Sequence, residues 1–338
     1  MKKLLYFLLL ALALQACTVK QNPDPGTSGG FADVTVNFNL SFDKAITDYR
    51  TVTAETKTLQ PNTVIRNFIH VYAADADGQF PSQDTPDYVF SWQGGGTSFT
   101  TTLPAGRYRV LAWTDEALAD FSSPFWNADD FCDIRMEHFH EGSTDAVRAY
   151  RGESSLVVNA LRIASTVVRE VEIPMTSPMG KFQVLATDKD QAGDLELDGI
   201  TVRFTYTQYL PSSYSVFLDK PVDSQSGVSF ISLVDLPDTD VVRLGYDYVF
   251  TNGGEATIPL LMEVLAADQT VQGSFSMQVP VVRGKLTTIQ GDFFTGASQS
   301  SIKIDPGFDG TITDTASTKS VITQLAAETL DDGLAKTK

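Results

Sequence analysis

The chain has 338 residues, of which 42% are hydrophobic and 20% charged, and its formal net charge is −17. This composition is typical of a globular protein and excludes a disordered one. The negative charge argues against nucleic acid as a partner, because an acidic surface repels phosphate backbones.

The first seventeen residues predict a secretory signal that ends at a lipid attachment site. Lys2 and Lys3 precede an apolar run from Leu4 to Leu14, which is too short to cross the ~30 Å hydrocarbon core of a membrane. The tetrapeptide Leu14-Gln15-Ala16-Cys17 then resembles a bacterial lipobox, in which Cys17 takes a diacylglyceryl group and becomes the acylated first residue of the mature protein. An ordinary signal peptide with a chance cysteine is the alternative. Loss of the two lysines would change the net charge from −17 to −19.

Residues 18–30 are polar and contain prolines and glycines, which predicts a flexible tether. After them, apolar and polar residues alternate with a period of two, as in half-buried β-strands. In the first half of the chain, the predicted strands are 34–40, 64–72, 88–92, 108–112, 155–158 and 167–173. Residues 115–133 are irregular and rich in aromatic side chains, and we expect a long packed loop there.

Two prolines, Pro174 and Pro178, interrupt the alternation and place a domain boundary at residue 176 or 177. Beyond them, the predicted strands are 182–186, 200–206, 244–250, 258–264, 275–279, 286–289 and 302–304. We therefore predict an all-β protein with β-sandwich domains at 31–176 and 177–305. The remaining tail, 306–338, is compatible with a frayed terminus or a short helix.

No catalytic signature is present: the sequence lacks Gly-x-Ser-x-Gly, a phosphate-binding glycine loop and His-Glu-x-x-His. His138 and His140 lie on one side of a segment that we expect to be a charged surface loop, but no third metal ligand is identifiable. His70 lies within an apolar strand and is expected in the core. We therefore assign no catalytic, cofactor-binding or metal-binding residue and predict that the protein is not an enzyme.

Several segments are similar, in order, to those of a known family. They are Val34–Leu40, Leu103–Asp115, Tyr150–Gly152, Pro178–Asp188 and Val279–Gly291, after the lipobox at Cys17. Their succession resembles the fimbrillin-like lipoproteins of Bacteroidetes, which are related to the anchor and structural subunits of FimA-type (type V) fimbriae. The resemblance implies two tandem transthyretin-like β-sandwich domains. It also implies an outer-membrane lipid anchor through Cys17 at the cell surface, and fimbrial subunits as partners that are joined by β-strand addition.

Polymerising subunits of this family carry an early arginine at which a protease removes a first strand. Arg50 and Arg66 are the candidates here, but the residues around Arg50 are not diagnostic. The resemblance therefore implies a permanently lipidated, FimB-like anchor or accessory subunit that anchors, caps or helps assemble the fibre.

The alternative function is a surface glycan-binding lipoprotein that stacks sugar rings on exposed tryptophans, Trp92, Trp113 and Trp126. If the protein is instead a fimbrial subunit, these side chains belong to the core or to grooves. Their exposure to solvent therefore distinguishes the two hypotheses.

Overall fold

A computed structural model describes residues 20–21, 33–42, 63–94, 96–118, 125–136, 140–160, 168–192, 197–236, 239–296, 300–306 and 323–324. These residues form β-strands and one short 3₁₀ helix, Lys189–Gln191, which confirms the all-β prediction. No helix in the described part of the chain is long and apolar enough to cross a membrane. The chain divides into two compact units.

The first unit takes its described residues from the ranges Met1–Asp43, Pro61–Ser123 and Ala149–Thr176. Its strands are β1 (Lys20–Gln21), β2 (Val34–Phe42), β3 (Thr63–Ala73), β4 (Tyr88–Gln93), β5 (Ser98–Leu103), β6 (Gly106–Leu118), β9 (Ala149–Val158) and β10 (Arg169–Thr176). They follow the order β1-β4-β3-β6-β9-β10-β2-β5. All pairs are antiparallel except β10 with β2, and β9 joins β10 through two residues of each strand.

The second unit comprises the described residues of Pro124–Arg148 and those from Ser177 onward. Its strands are β7 (Trp126–Asn127), β8 (Ile134–Met136), β11 (Met179–Ala186), β12 (Thr201–Tyr206), β13 (Leu210–Ser215), β14 (Lys220–Gln225), β15 (Ser229–Leu233), β16 (Val242–Phe250), β17 (Glu255–Leu265), β18 (Val271–Val282), β19 (Lys285–Gly291), β20 (Ser300–Pro306) and β21 (Thr323–Gln324). They form the sheets β16-β11-β19-β20, β15-β12-β17-β18-β21 and β14-β13-β8-β7.

The same seven-strand plan is present in both units. In the first unit, β4-β3-β6-β9 and β10-β2-β5 correspond to β15-β12-β17-β18 and β19-β11-β16 in the second unit. In each unit the first strand lies parallel to the seventh: β2 pairs with β10, and β11 pairs with β19. The plan therefore repeats along the chain, and the second unit adds β20 beside its seventh strand.

Alternation along the strands accounts for the two cores. In β2, Val34, Val36, Phe38 and Leu40 are buried, while the residues between them are not. In the second unit the inward faces of both sheets supply one cluster, in which Phe182, Phe204 and Met262 are completely or almost completely buried. Burial of each such side chain contributes about 1.5–3 kcal/mol, which is how period-two patterning specifies the sheets.

The sequence assigned residues 124–148 to the first domain, whereas the structure groups them with the second unit. They supply β7 and β8, and Ile134 and Arg135 of β8 pair with Tyr214 and Ser213 of β13. The strands β13 and β14 are also an insertion in the repeated plan, placed between the second and third strands of their sandwich. The two insertions, β7–β8 and β13–β14, thus form one small sheet.

Candidate strand-accepting edge

Both sandwiches have edge strands, which are the places where another chain could add a strand, and most of these edges are protected. The seventh strand of the first unit, β10, pairs with β9 only through its last two residues, so the rest of β10 forms an edge. That part carries exposed charged side chains at Arg169, Glu170 and Glu172 and an exposed proline, Pro174. Charge and proline both hinder pairing at an edge. The equivalent strand of the second unit, β19, is covered by β20 along its whole length.

Within the described residues, the edge strand β15 has neither form of protection. Its sequence, Ser229-Phe-Ile-Ser-Leu233, contains no charge and no proline. Ile231 and Leu233 are exposed to 52% and 81%, although they are large and apolar. The edge strand β5 also lacks charge and proline, but its exposed residues are serine and threonines. Among these edges, β15 therefore offers the most apolar surface to a partner strand.

The main chain of β15 is directed in the right way for pairing. The Tyr206 N–H donates to the Val228 carbonyl at 2.9 Å, so these two residues form a hydrogen-bonded antiparallel pair. Hydrogen-bonded pairs alternate along such a ladder. In the observed register, Phe230 and Ser232 are therefore directed toward β12. The N–H and C=O groups of Ile231 and Leu233 consequently face the free edge.

A cavity of about 700 Å³ lies beside this edge. Ile231 and Leu233 of β15 line it on one side, and Arg243 and Tyr246 of β16 line it on the other. Leu185 of β11 also contributes to the wall. The free edge thus adjoins a space that the side chains of an added strand could fill.

One end of the gap between β15 and β16 is already closed by the chain itself. The Ser143 N–H donates to the Tyr246 carbonyl at 2.7 Å, and the Ser143 hydroxyl donates to Ser232 Oγ at 2.8 Å. Gly142 lies against Phe230, so closely that a Cβ there would be 2.4 Å from the ring. Residues 142 and 143 thus act as a plug that bridges the two edge strands.

Two buried polar clusters hold this plug in place. In the first, His140 Nε2 lies 2.5 Å from Asp247 Oδ2, and the Tyr206 hydroxyl donates to the same carboxylate. Burial disfavours the charged imidazole, but the Asp247 carboxylate outweighs it and raises the pKa of His140 above its ordinary value. Burial, reinforced by Asp247, also raises the pKa of Tyr206.

In the second cluster, Asp145 accepts hydrogen bonds from Lys181 Nζ at 3.1 Å and from the Tyr248 hydroxyl at 2.6 Å. Arg148 adds an ion pair to Asp145 at 2.9 Å. Burial alone would raise the pKa of Asp145, but the charges of Lys181 and Arg148 outweigh it and lower the pKa to about 2. Burial lowers the pKa of Lys181 to about 8. Asp145 therefore stays ionised at neutral pH.

The structure separates the histidines that the sequence placed together. The expectation that His140 lies on a charged surface loop was wrong, because its side chain is only 7% exposed and is paired with Asp247. His138 lies outside the described residues. The prediction for His70 is confirmed, since it is buried and lies 3.4 Å from the Tyr72 hydroxyl.

The tryptophans do not form an exposed stacking surface. Trp113 and Trp126 are buried, and Trp92 is half-buried against Phe99. The burial of these side chains therefore counts against a site that stacks sugar rings on exposed tryptophans. Sequence reasoning missed β15 itself, because Ser229–Leu233 has only two inward residues, Phe230 and Ser232, and its outward residues include two apolar ones.

Arg66, one candidate cleavage site, is also buried. It forms a two-pronged ion pair with Asp115, with both N–O distances at 2.7 Å. This arginine holds two strands of the first unit together, because β3 and β6 carry the two side chains. The lipidation site, Cys17, and the other arginine, Arg50, lie outside the described residues.

The model of a family described as "Family of unknown function (DUF6562)" matches residues 27–324. No curated protein matches the chain. Among solved structures, the chain is similar to a candidate cell adhesion protein from Bacteroides ovatus, with 12% identity and a TM-score of 0.49, over 84% of this chain and 100% of that one.

Two further structures are similar over most of the chain. A candidate polysaccharide-binding protein from Bacteroides thetaiotaomicron has 8% identity and a TM-score of 0.46, over 82% of this chain and 99% of that one. The fimbrial anchor protein Mfa2 from Porphyromonas gingivalis has 11% identity and a TM-score of 0.39, over 81% and 97%.

Proposed function

The chain belongs to the DUF6562 family of unknown function, and we propose that it is a lipid-anchored subunit at the outer surface of the cell that anchors, caps or helps assemble a fimbria by β-strand addition. The β15 edge is the accepting site. Cys17 is the lipid-bearing residue, and the acyl chains hold the protein in the outer membrane. Several acyl chains on one cysteine would give durable attachment, whereas a single chain is marginal.

The observation that carries the proposal is the unprotected β15 edge beside a large cavity. An incoming strand would hydrogen-bond to the outward main-chain groups of Ile231 and Leu233, which supply affinity irrespective of side chain. Its alternate side chains would enter the cavity and supply selectivity. No catalytic grouping is required for this work.

The free energies of the expected contacts show why the cavity matters for affinity. Covering Ile231 and Leu233 would contribute about 3 kcal/mol, given their exposure of 52% and 81%. Each new main-chain hydrogen bond adds about 1 kcal/mol. These contributions are comparable to the ~4–15 kcal/mol that association costs in lost freedom of motion. A durable joint therefore requires that the partner also fills the cavity with apolar side chains.

A matched pair of substitutions at Ile231 tests the accepting edge. Ile231→Pro removes the outward N–H but keeps most of the side-chain carbons, while Ile231→Ala keeps that N–H and removes more of the side chain. Since the N–H of Ile231 is not used in pairing with β12, both variants should fold, which their circular dichroism spectra would check. We expect fibre subunits to co-purify with wild type and Ile231→Ala and to be lost from Ile231→Pro. Equal recovery with both variants would contradict strand addition at β15.

Anchoring is tested separately at Cys17. In a fimbriated strain, Cys17→Ala should release the protein from the membrane and shed fibres into the medium, and deletion of the gene should shed fibres or alter their length. Mass spectrometry of the native amino-terminal peptide should show a diacylglyceryl cysteine. A free thiol at Cys17 in membrane-extracted protein, or fibres that stay attached at normal length after deletion, would contradict the anchoring role.

A further inference from the structure

A second, smaller cavity lies on the sheet that the two insertions form. Its volume is about 250 Å³, and its walls include Trp126 of β7, Arg135 of β8, Ser213 of β13 and Asp223 of β14. At ~30 Å³ per water molecule, it has room for about eight waters. It is slightly smaller than the ~300–1,000 Å³ of sites for drug-sized ligands, and so it suits a single small ring.

Ser213 is the unusual residue of this cavity. It is 1% exposed, and its buried hydroxyl has no hydrogen-bond partner among the described residues. A buried hydroxyl without a partner costs about 1–3 kcal/mol, so such a group in a cavity wall calls for a ligand or a water to complete it.

The backbone of β13 is irregular at Ser213. The pairing of β13 with β14 shifts register on both sides of Ser213, between Pro211 and Ser213 and again between Ser213 and Tyr214. As a result, Ser213 and Tyr214 are both buried, although a regular strand would turn alternate residues to opposite faces. Such irregularities commonly re-aim a side chain beside a binding site.

The charges around Ser213 are balanced. Arg135 and Asp223 are its neighbours on the two adjoining strands, so a cation, a hydroxyl and a carboxylate lie in one row. Arg135 also forms an ion pair with Asp133. His140 also lines the cavity and is paired with Asp247. Because each of the two cations already has a carboxylate partner, the site has no strong preference for a charged ligand, and the net charge of −17 on the whole chain disfavours anions.

The aromatic part of the wall is rigid. The Trp126 N–H donates to the Val147 carbonyl at 2.9 Å, and its ring lies 5.1 Å from that of Phe250. Because Trp126 is only 2% exposed, it bounds the cavity and does not act as an open stacking platform. Recognition would therefore depend on the polar row more than on the rings.

We propose that this cavity binds one residue of a neutral, hydroxyl-rich ligand, of the size and chemistry of a hexose unit. A ligand hydroxyl completes Ser213, and its neighbouring hydroxyls donate to Asp223 and accept from Arg135. The site is distinct from the β15 edge and does not depend on strand addition. Binding at a single sugar unit would be weak, with a Kd on the order of 1 mM, and would gain strength from repetition along a polysaccharide or among several subunits.

The test uses the purified full-length mature chain with the methyl glycosides of glucose, galactose and mannose as probes. Saturation-transfer NMR should show contact for at least one glycoside, and calorimetric titration should give its Kd. Ser213→Val should weaken binding about tenfold, the effect of one lost hydrogen bond. Ser155→Val, the same change at an exposed position of β9, is the matched control and should leave the Kd unchanged.

Asp223→Asn is a second variant that does not risk the fold, because Asp223 is exposed. It should also weaken binding, since an amide is a poorer acceptor for a ligand hydroxyl than a carboxylate. Absence of binding to all three glycosides, or binding that neither Ser213→Val nor Asp223→Asn alters, would overturn the proposal. Neither outcome would affect the assignment of the β15 edge.

Discussion

The two sandwiches follow one strand plan, yet they treat their equivalent edges differently. The third strand of the first unit, β4, is partly covered by the short strand β1, whereas no described strand covers the edge of its counterpart β15. At the seventh strand, it is the second unit that has the covered edge: β19 is covered by β20, whereas β10 is protected by charged residues and a proline. An edge can thus be protected by a covering strand or by its own residues, and β15 has neither protection among the residues that the structure describes.

Removal of β20 should cause the largest loss of stability, because it exposes the edge of β19. A chain that ends after residue 299 loses the buried side chain of Ile302 and the packing of Ile304 against the core. We expect the second sandwich to lose about 3–5 kcal/mol of its free energy of unfolding in urea. A chain that ends after residue 306, which retains β20, is the control. A loss below about 1 kcal/mol would show that β20 is not an integral strand.

Disturbing the plug between β15 and β16 should cause the second-largest loss of stability. In Gly142→Ala the new methyl group would lie 2.4 Å from the Phe230 ring, so the segment must move. Overpacking of this kind costs about 1–3 kcal/mol, and the move should also break the hydrogen bonds of Ser143 to Tyr246 and Ser232. Ser143→Ala, which loses the hydroxyl without adding bulk, should cost about 1 kcal/mol. Equal stability of Gly142→Ala and wild type in urea would contradict the close contact.

The pH dependence of the plug offers a third, smaller test. The folded-state pKa of His140 is raised above 6.5, so its pairing with Asp247 contributes fully below pH 6.5 and is lost as the pH rises through the folded-state value. We expect wild-type stability to fall over that rise. His140→Gln should remove this dependence. Tyr206 does not titrate in this range, because its pKa is raised well above 10. A wild-type profile that is flat between pH 6 and 9 would contradict a protonated His140.

The smallest change in stability should come from weakening the protection of β10. Glu172 is exposed, and Glu172→Val replaces its charge with a good strand former. The folded chain should change by no more than about 0.5 kcal/mol. Size-exclusion chromatography should nevertheless show more self-association at high protein concentration, because the edge is less hindered. Glu172→Gln, which stays polar, is the control, and identical elution of both variants would show that Pro174 and the remaining charges suffice.

Local patterning was enough to locate most of the strands. Alternation such as Val34, Val36, Phe38 and Leu40 predicted β2, and comparable patterns predicted both sandwiches with little helix. The strands that the sequence did not reveal lack that pattern. In β13, for example, Pro211 and the register shifts around Ser213 break the alternation. An edge strand as short as β15 gives only two inward residues, too few to stand out from a loop.

Patterns among neighbouring residues were therefore enough to predict an all-β chain, two sandwich domains and a lipobox at Cys17, and they contain no catalytic motif. Which edges stay open and which polar residues are buried depends on how the chain folds. His140 looked like a surface residue because its neighbours in sequence are charged, but its partner Asp247 lies 107 residues away. The β7–β8 insertion likewise finds β13 across a long stretch of chain. A period of two depends only on residues that are close in sequence, whereas strand order and ion pairing depend on segments that meet only when the chain folds.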